Sequence, residues 1–365
     1  MNRRGFLQSA GTIFSGLVSS HSQDVSAREL VPPNWRIFEL TTRVEVLRPS
    51  GATRIWAPEA LITDTQFQKT SKNGFQCQGG IVKTFRSRTE ALGIVTAEFP
   101  PGTKPVLTVT SRAATRNWAV NLSAPGNRHK LSTAERNHFL RPARILPTDG
   151  IVKQKAAEIT KNARSDMDKT RAIYDWIVEN TYRNPKTRGC GIGDIRFMLE
   201  SGDLGGKCAD LNALYVGLAR AAGLPARDVY GIRVAGSQMG YKSLGTSSAN
   251  ATKAQHCRAE VYLNAYGWVP VDPADVRKVM LEEAPGHRSL DDEMVTKARS
   301  RLFGSWEMNW IAYNFAQDVA LPGSSGPPVH FLMYPQAETS EGRLDCLDPD
   351  NFRYEIASRE ITAVG

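Results

Sequence analysis

The stretch Gly206-Lys207-Cys208-Ala209-Asp210 opens the most strongly patterned segment of this sequence and decides its fold. After it, apolar side chains recur every three or four residues, which predicts a helix with one buried face: Leu211, Leu214, Tyr215, Leu218, Ala219 and Ala222. Gly223 and Pro225 end this helix. Gly205-Gly206 allows a sharp turn just before it begins. Cys208 is therefore predicted to lie in, or just before, the first helical turn.

The predicted position of Cys208 favours a reactive thiolate. Unpaired backbone N–H groups and the positive end of the helix dipole both stabilise a negative charge at a helix start. Lys207 adds a positive charge beside the sulfur, and Asp210 is an acid suited to the first turn. A buried and unreactive thiol is nevertheless the more common state of a single cysteine, so the assignment depends on further residues.

A histidine and a carboxylate flank a predicted β-hairpin. His256 precedes the alternating strand 259–263, and the partner strand 268–271 leads into Asp272. The hairpin brings His256 and Asp272 toward the same end of the ribbon. A plain four-residue loop, 264–267, would put them on opposite faces and three residues out of register. Either a bulge or a loop of another length is therefore required.

Cys208, His256 and Asp272 together supply a nucleophile, a general base and a group that orients the base. Taken singly, His256 is typical of a structural histidine, and Asp272, before Pro273, of a turn residue that caps its own backbone. Their presence in one chain instead indicates a cysteine acyl-transfer site. Cys257 is a rival nucleophile, but its strand lacks a helix dipole, so packing is its expected role.

These residues resemble the transglutaminase-like superfamily, whose core pairs a Gly-x-Cys helix start with a His-bearing strand and a Gly-Trp-x-x-x-Asp-Pro strand. The matching segments are Gly206-Lys207-Cys208, His256, Gly267-Trp268-Val269-Pro270-Val271-Asp272-Pro273 and, after the helix, Leu224-Pro225-Ala226-Arg227 with Gly231. The resemblance is specific over about residues 150–280. It implies Cys208 as nucleophile, His256 as general base and acid, and Asp272 as the orienting group.

The resemblance also implies an α+β fold with a papain-like, transglutaminase-like catalytic core, in which the nucleophile helix packs on an antiparallel sheet. The Cys208 thiolate would attack an amide or peptide carbonyl, and water or an amine would resolve the thioester. Ala209 and Arg258 stand where the family often has aromatic residues, so hydrolysis, slightly favoured, and cross-linking both stay open. The Cys208 N–H and the Tyr182 hydroxyl are candidate oxyanion donors.

The amino terminus carries the features of an export signal. Asn2-Arg3-Arg4-Gly5-Phe6-Leu7-Gln8 precedes a short apolar run at 11–18 and the small-x-small site Val25-Ser26-Ala27. Together they predict a twin-arginine signal peptide over residues 1–27 and a periplasmic or secreted protein; the alternative is a cytosolic protein with a chance arginine pair. Elsewhere no run approaches the roughly 18 apolar residues of a spanning helix, so no membrane span is predicted.

The residues before the patterned helix predict a separate β-rich domain. Strand-like alternation occurs at 36–47, 92–99, 105–110 and 118–122, with turns between. Residues 28–125 are therefore predicted to form a β-sandwich-like N-terminal domain, and residues 126–148 a linker.

Residues 149–365 are predicted to form the catalytic domain. Helices are expected at 151–161, 165–179 and 282–301, and strands at 330–334 and 352–361 that extend the catalytic sheet. Residues 235–253, rich in Gly, Ser and Asn, form either a substrate lid or a disordered insertion.

Composition limits the function classes. The net charge is +9, but the basic residues are dispersed along the chain, so nucleic-acid binding is not expected. The five cysteines, Cys77, Cys190, Cys208, Cys257 and Cys346, are an odd number, which leaves at least one free thiol in a monomer. No zinc-site spacing or phosphate loop occurs, so neither metal nor cofactor is predicted. The expected partner is a protein or peptide substrate in the cell envelope. The alternative class is a non-catalytic peptide-binding or assembly module.

Overall fold

The computed structural model describes residues 34–126, 130–246 and 249–361, and the predicted signal peptide lies outside them. The strands are β1 (Arg36–Val46), β2 (Thr53–Pro58), β3 (Gln68–Cys77), β4 (Ile81–Ser87), β5 (Leu92–Phe99), β6 (Val106–Thr115), β7 (Trp118–Ala119), β8 (Tyr182–Arg183), β9 (Gly205–Gly206), β10 (Ala226–Arg233), β11 (Gln255–Leu263), β12 (Gly267–Val271), β13 (Ser305–Trp306), β14 (Trp310–Asn314), β15 (Gln336–Thr339), β16 (Gly342–Arg343) and β17 (Phe352–Ile361). The α-helices are α1 (Thr133–Leu140), α2 (Gly150–Thr160), α3 (Asp166–Asn180), α4 (Ile195–Ser201), α5 (Cys208–Ala221), α6 (Pro273–Glu282) and α7 (Glu293–Arg301).

Two sheets contain most of the N-terminal strands. Their strand orders are β17-β1-β6-β3 and β16-β15-β2-β5-β4. In β1 and β6, nearly every second residue is buried, which is the pattern of a sheet with one face in a core. The two sheets share one apolar cluster that includes Val44, Ile55, Val95, Leu107 and Val109. The predicted β-sandwich-like architecture is confirmed.

The C-terminal strands belong to this sandwich. β17 pairs antiparallel with β1, from Ile37 opposite Ile361 to Val46 opposite Phe352. β15 likewise pairs with β2. The prediction that 352–361 extends the catalytic sheet is therefore wrong, and no strand forms over 330–334. Alternation shows that a segment is a strand but not which open edge it completes. The domain boundaries at 28–125, 126–148 and 149–365 stay predictions, because each of the two sheets also takes strands from beyond residue 149.

A third antiparallel sheet, ordered β12-β11-β10-β14, supports α5, the helix that begins at Cys208. α5 packs on β11 and β10, and α2, α3 and α6 pack against α5. A helix covered on all sides is buried around its whole circumference, and every residue from Cys208 to Arg220 is indeed buried. The predicted packing of the helix that begins at Cys208 on an antiparallel sheet is confirmed.

The other predicted helices are found with one correction. α2 and α3 match the predicted segments, and the Ser165 hydroxyl accepts a hydrogen bond from the Asp168 N–H at 3.1 Å. The predicted helix over 282–301 is wrong in its first half, because α6 ends at Glu282 and α7 begins at Glu293. Pro285 and Gly286 lie between them, and both residues disfavour helix. None of the helices in the described ranges is long and apolar enough to cross a membrane.

Candidate active site

Cys208 is the first residue of α5 and opens onto a cavity. Its side chain is 4% exposed, and it lines a cavity of about 610 Å³ together with His256. The adjoining backbone is fixed by hydrogen bonds: Ala209 N–H donates to the Cys190 carbonyl at 2.9 Å, and Lys207 N–H to the Asp210 carboxylate at 2.9 Å. The thiol therefore lies at a helix start whose geometry is held from both sides.

Asp210 also ties a neighbouring loop to this helix start. One of its oxygens accepts the N–H groups of Ile192, at 3.0 Å, and Gly193, at 2.9 Å. Gly191 sits against the same carboxylate with φ +96°, and a Cβ there would lie 1.9 Å from Asp210 Oδ2. Only glycine fits this conformation and this space. Asp210 therefore clamps the 191–193 loop, a role that its position in the first turn did not reveal.

The hairpin register brings His256 and Asp272 onto one face. Leu263 pairs with Gly267 and Ala259 with Val271, so the loop has three residues, 264–266, rather than four. This register continues to place Asp272 across from residue 258, which shares a face with His256 because side chains alternate along a strand. A shorter loop, and not a bulge, thus satisfies the requirement derived from the sequence.

His256 and Asp272 are directly hydrogen-bonded. His256 Nε2 lies 2.8 Å from Asp272 Oδ2 and 3.4 Å from Asp275 Oδ2, and all three side chains are buried. With Nε2 turned to the carboxylates, Nδ1 is the ring nitrogen left for the Cys208 thiol, which lines the same cavity as His256. The structure therefore brings all three residues singled out from the sequence to the same site.

Asp272 has a second set of partners on its other oxygen. Its Oδ1 accepts from Asn212 Nδ2 at 3.2 Å and from the Asp275 N–H at 3.1 Å, which makes Asp272 the N-cap of α6. The capping role considered from the sequence and the contact with His256 therefore coexist. Asn212 lies one helical turn after Cys208, so α5 carries both the thiol and a donor that fixes Asp272. A polar residue on a fully buried helical face was the available sequence signal for Asn212.

Two buried arginines balance the carboxylates. Arg233 Nη2 donates to both oxygens of Asp275, at 2.6 and 2.9 Å. Arg258 Nε lies 3.6 Å from Asp272 Oδ2, and its guanidinium carbon lies 4.7 Å from the centroid of the Trp310 ring. Asp275, Arg233 and the supporting role of Arg258 were missed by sequence reasoning, because each depends on contacts between distant segments.

Neighbouring groups shift the pKa values of His256 and Cys208 in opposite directions. Burial and Arg233 lower the pKa of His256, but the carboxylates of Asp275 and Asp272 outweigh them and raise it to about 9. Hydrogen bonds with Cys190 and Cys257, and then the neighbouring His256, hold the pKa of Cys208 well below its ordinary value. At neutral pH the arrangement therefore favours a thiolate beside an imidazolium.

Two further cysteines lie close to Cys208, but the pKa values of their thiols are shifted in the opposite direction. Cys257 is fully buried, and burial raises the pKa of its thiol well above the ordinary value. The hydrogen bond with Cys208, followed by burial, raises the pKa of Cys190 in the same way. All five cysteines are free thiols. Cys208 is the thiol whose surroundings stabilise an anion.

Tyr182 does not belong to this site. Its side chain is 45% exposed, and its hydroxyl donates to Asp203 Oδ1 at 2.8 Å on the protein surface. The hypothesis that Tyr182 supplies an oxyanion donor is therefore wrong. Gln255, which precedes His256, is among the polar residues that line the cavity, and its side-chain nitrogen is buried and has no hydrogen-bond partner among the described residues.

The segment 235–253 forms part of the cavity wall. Gly245, Thr246 and Lys253 line the cavity. Glu283 accepts the N–H groups of Lys242 and Ser243, and these bonds hold the middle of the segment. Its described residues are therefore attached to the catalytic core, and motion as a lid stays a prediction.

His256, Asp272 and Asp275 also have the residue types of a metal site. Their ligand atoms lie within 4.8 Å of one another. However, the carboxylates already accept hydrogen bonds from Asn212, Arg233 and the backbone, and two arginines neutralise their charge. This donor set fits a histidine held for proton transfer better than a cation.

Comparisons with known proteins agree with this geometry. The sequence model of the transglutaminase-like superfamily matches residues 153–273, a range that contains Cys208, His256 and Asp272. An uncharacterised protein of Haemophilus influenzae is 40% identical over 232 residues, which cover 61% of this chain and 62% of that protein. The chain thus spans less than two thirds of this relative.

One solved structure shows the same fold over most of the chain. A protein of Cytophaga hutchinsonii, described provisionally as a cysteine protease, superposes with a TM-score of 0.56 at 16% identity, covering 90% of this chain and 92% of that one. The periplasmic domain of TgpA from Pseudomonas aeruginosa gives a lower TM-score of 0.36 at 15% identity, covering 66% of this chain and 88% of that one. The likeness to the Cytophaga protein extends to nearly the whole chain.

Proposed function

Residues 153–273 form a transglutaminase-like domain, and from this premise we propose that the protein is a cysteine enzyme that acts on amide or peptide bonds through a thioester. Cys208 is the nucleophile, His256 the general base and acid, and Asp272 the residue that orients His256. The observation that carries the proposal is the placement of Cys208, at a helix start, on the same cavity as His256, whose Nε2 lies 2.8 Å from Asp272 Oδ2.

The mechanism follows from the two ionised groups. The Cys208 thiolate attacks the carbonyl carbon, and a tetrahedral oxyanion forms. The His256 imidazolium then gives its proton to the leaving amine, so that the C–N bond breaks and the thioester remains. Neutral His256 next removes a proton from water, and the hydroxide expels the thiolate to release a carboxylic acid. Asp272 stabilises the imidazolium in both halves of the cycle.

The oxyanion requires donors that do not move. The N–H of Cys208 points from the first turn of α5, and no hydrogen-bond partner for it is found among the described residues. We assign the second donor to the Gln255 side chain, which is next to His256 and lines the same cavity. Gln255→Ala should lower kcat with little change in KM.

Hydrolysis is favoured over transfer to an amine. Water is present at ~55 M in an open cleft, and no dedicated amine pocket is seen in the described part of the cavity wall. The lysine and arginine side chains that line the cavity disfavour the approach of a cationic lysine acceptor. The Arg3-Arg4 motif supports export to the periplasm, where envelope proteins or peptides would be the substrates.

The test is incubation of the mature protein with glutamine-containing peptides, with and without an added primary amine. Mass spectrometry distinguishes peptide cleavage, loss of ammonia by hydrolysis, and amine incorporation. Cys208→Ala is the control for each product. We expect hydrolytic products that require Cys208. Amine incorporation as the main product would favour the cross-linking alternative, and specific peptide binding without any product would favour a non-catalytic binding module.

A further inference from the structure

Among the described residues, the lysines and arginines that line the cavity around Cys208 give it a positive charge. Among the described residues that line it there is no aspartate or glutamate, whereas seven are lysine or arginine: Arg183, Arg188, Lys207, Arg233, Lys253, Lys278 and Arg353. These residues are dispersed along the sequence and come from both ends of the catalytic segment and from β17. The fold brings these dispersed positive charges together around one cavity.

Only part of this charge is neutralised by other side chains. Glu282 pairs with both Arg183 and Lys278, Asp345 with Arg188, and Asp275 with Arg233. Three carboxylates therefore face four of the seven cations. The remaining three, Lys207, Lys253 and Arg353, have no ion pair within the ranges that the structure describes.

The three unpaired cations surround the site of attack. Lys207 is bonded through the chain to Cys208, and Lys253 precedes His256 by three residues. Arg353 projects from β17 on the wall that also contains Leu347, Phe352 and Tyr354. An enclosed concave surface with unbalanced charge raises the local concentration of oppositely charged ligands more than a flat surface does.

From this arrangement we infer that the substrate is an acidic peptide, with carboxylate side chains on residues that flank the amide to be attacked. This inference rests on the proposed function, which requires a peptide or amide carbonyl in the cleft. The apolar wall suits the non-acidic residues of such a peptide, and a volume of about 610 Å³ accommodates a short peptide segment. Lys207, the cation next to Cys208 in the chain, lines the same cavity.

The test compares two synthetic peptides that differ only in charge. Both contain a central glutamine, and one has aspartates at the flanking positions where the other has threonines. Each is used to protect Cys208 of the mature protein from alkylation by iodoacetamide, so that occupancy of the cleft is measured separately from product formation. We expect the acidic peptide to protect at about ten-fold lower concentration, and the difference to shrink as salt is raised from 0.05 to 0.5 M, values chosen to span about a three-fold change in screening length.

Variants assign the effect to the cleft. Lys207→Gln, Lys253→Gln and Arg353→Gln should each reduce the preference for the acidic peptide by about two- to three-fold. Lys104→Gln is the matched control, because Lys104 is exposed in the β5–β6 turn and does not line the cavity. In the same variants, alkylation by anionic iodoacetate should slow relative to alkylation by neutral iodoacetamide.

The outcomes separate this inference from the proposed function. Equal protection by both peptides, or equal losses in the cleft variants and in Lys104→Gln, would overturn the inference whatever the reaction is. Preferential protection without cleavage or deamidation of either peptide would support the acidic ligand and refute the proposed hydrolysis. Turnover of both peptides with equal kcat/KM would leave the hydrolase assignment standing and remove the acidic preference.

Discussion

Replacing Asp272 by asparagine should reverse the polarity of its hydrogen bond to His256. Asp272 Oδ1 accepts two N–H groups, from Asn212 at 3.2 Å and from residue 275 at 3.1 Å, so the amide oxygen of an asparagine must occupy that position. Its NH₂ group then faces His256 Nε2, which lies 2.8 Å from Oδ2 in the native protein. Nε2 must accept instead of donate, and the ring proton moves to Nδ1, the nitrogen that faces Cys208.

The expected rise in the acylation barrier of Asp272→Asn has two parts. Loss of a charge-assisted hydrogen bond is worth about 2 kcal/mol, and the wrong tautomer adds about 1–2 kcal/mol more. Since each 1.36 kcal/mol is ten-fold in rate, we expect acylation to fall about 10²- to 10³-fold, mainly in kcat. Asp275 remains 3.4 Å from Nε2 and keeps a residual rate measurable.

The pH dependence of alkylation provides the assay. In the native protein the pKa of Cys208 is lowered and that of His256 is raised to about 9, so alkylation should persist well below the pH at which an ordinary thiol becomes unreactive. Turnover, unlike alkylation, should decline above about pH 9, because His256 then lacks the proton for the leaving amine.

In Asp272→Asn, the imidazolium loses a stabilising charge, so the alkylation profile should move to higher pH. Asp149→Asn is the control, because Asp149 is an exposed residue remote in the chain from the cavity lining. Profiles of the wild type and Asp272→Asn that superimpose would show that the Cys208 thiolate does not depend on the orienting carboxylate, and the reasoning would fail there.

Three further predictions follow from the site and the amino terminus. Cys208→Ala should abolish turnover and leave the denaturant unfolding curve nearly unchanged. Cys257→Ala should keep most of the activity but lower the free energy of unfolding by about 1 kcal/mol, because its thiol is fully buried. Equal losses of rate in the two variants would show that the assignment of Cys208 as nucleophile is wrong. Gly191→Ala should lower the free energy of unfolding by about 3 kcal/mol, because the added Cβ would collide with Asp210. Gly202→Ala is the control and should cost about 1 kcal/mol, because Gly202 also has a positive φ but no atom lies within 4 Å of an added Cβ. Similar urea midpoints for the two variants would contradict the role of Asp210 in holding the 191–193 loop. Replacing Arg3 and Arg4 by lysine should retain the precursor in the cytoplasm, and the mature protein should begin near Arg28; immunoblots of cell fractions and N-terminal sequencing check both, and undiminished export would point to another route.

Local pattern was sufficient for the elements that carry the candidate triad. The apolar spacing after Cys208 predicts α5, and alternation after His256 predicts the hairpin that ends at Asp272. The exact register of this hairpin could not be predicted, because loops of three and four residues differ in which face of the sheet each side chain occupies. The sequence motif also agrees with the matched superfamily segment at 153–273.

Non-local contacts account for what the sequence left undetermined. Asn212, Asp275 and Arg233 meet His256 and Asp272 only after α5, α6 and β10 have packed together. The partner of β17 is likewise chosen by an open sheet edge far away in the chain. The positive cavity is a further example, since the basic residues form a cluster only in three dimensions.

The position of β17 sets the order in which the walls of the cavity are completed during synthesis. A ribosome completes α5 and the β11–β12 hairpin before it reaches Phe352, so the thiol and its histidine exist in the nascent chain earlier than the wall that carries Arg353 and Tyr354. Because β17 also closes the sheet edge at β1, that pairing joins segments that are made at widely separated times. A growing chain therefore lacks a complete cavity wall until this late strand docks on β1.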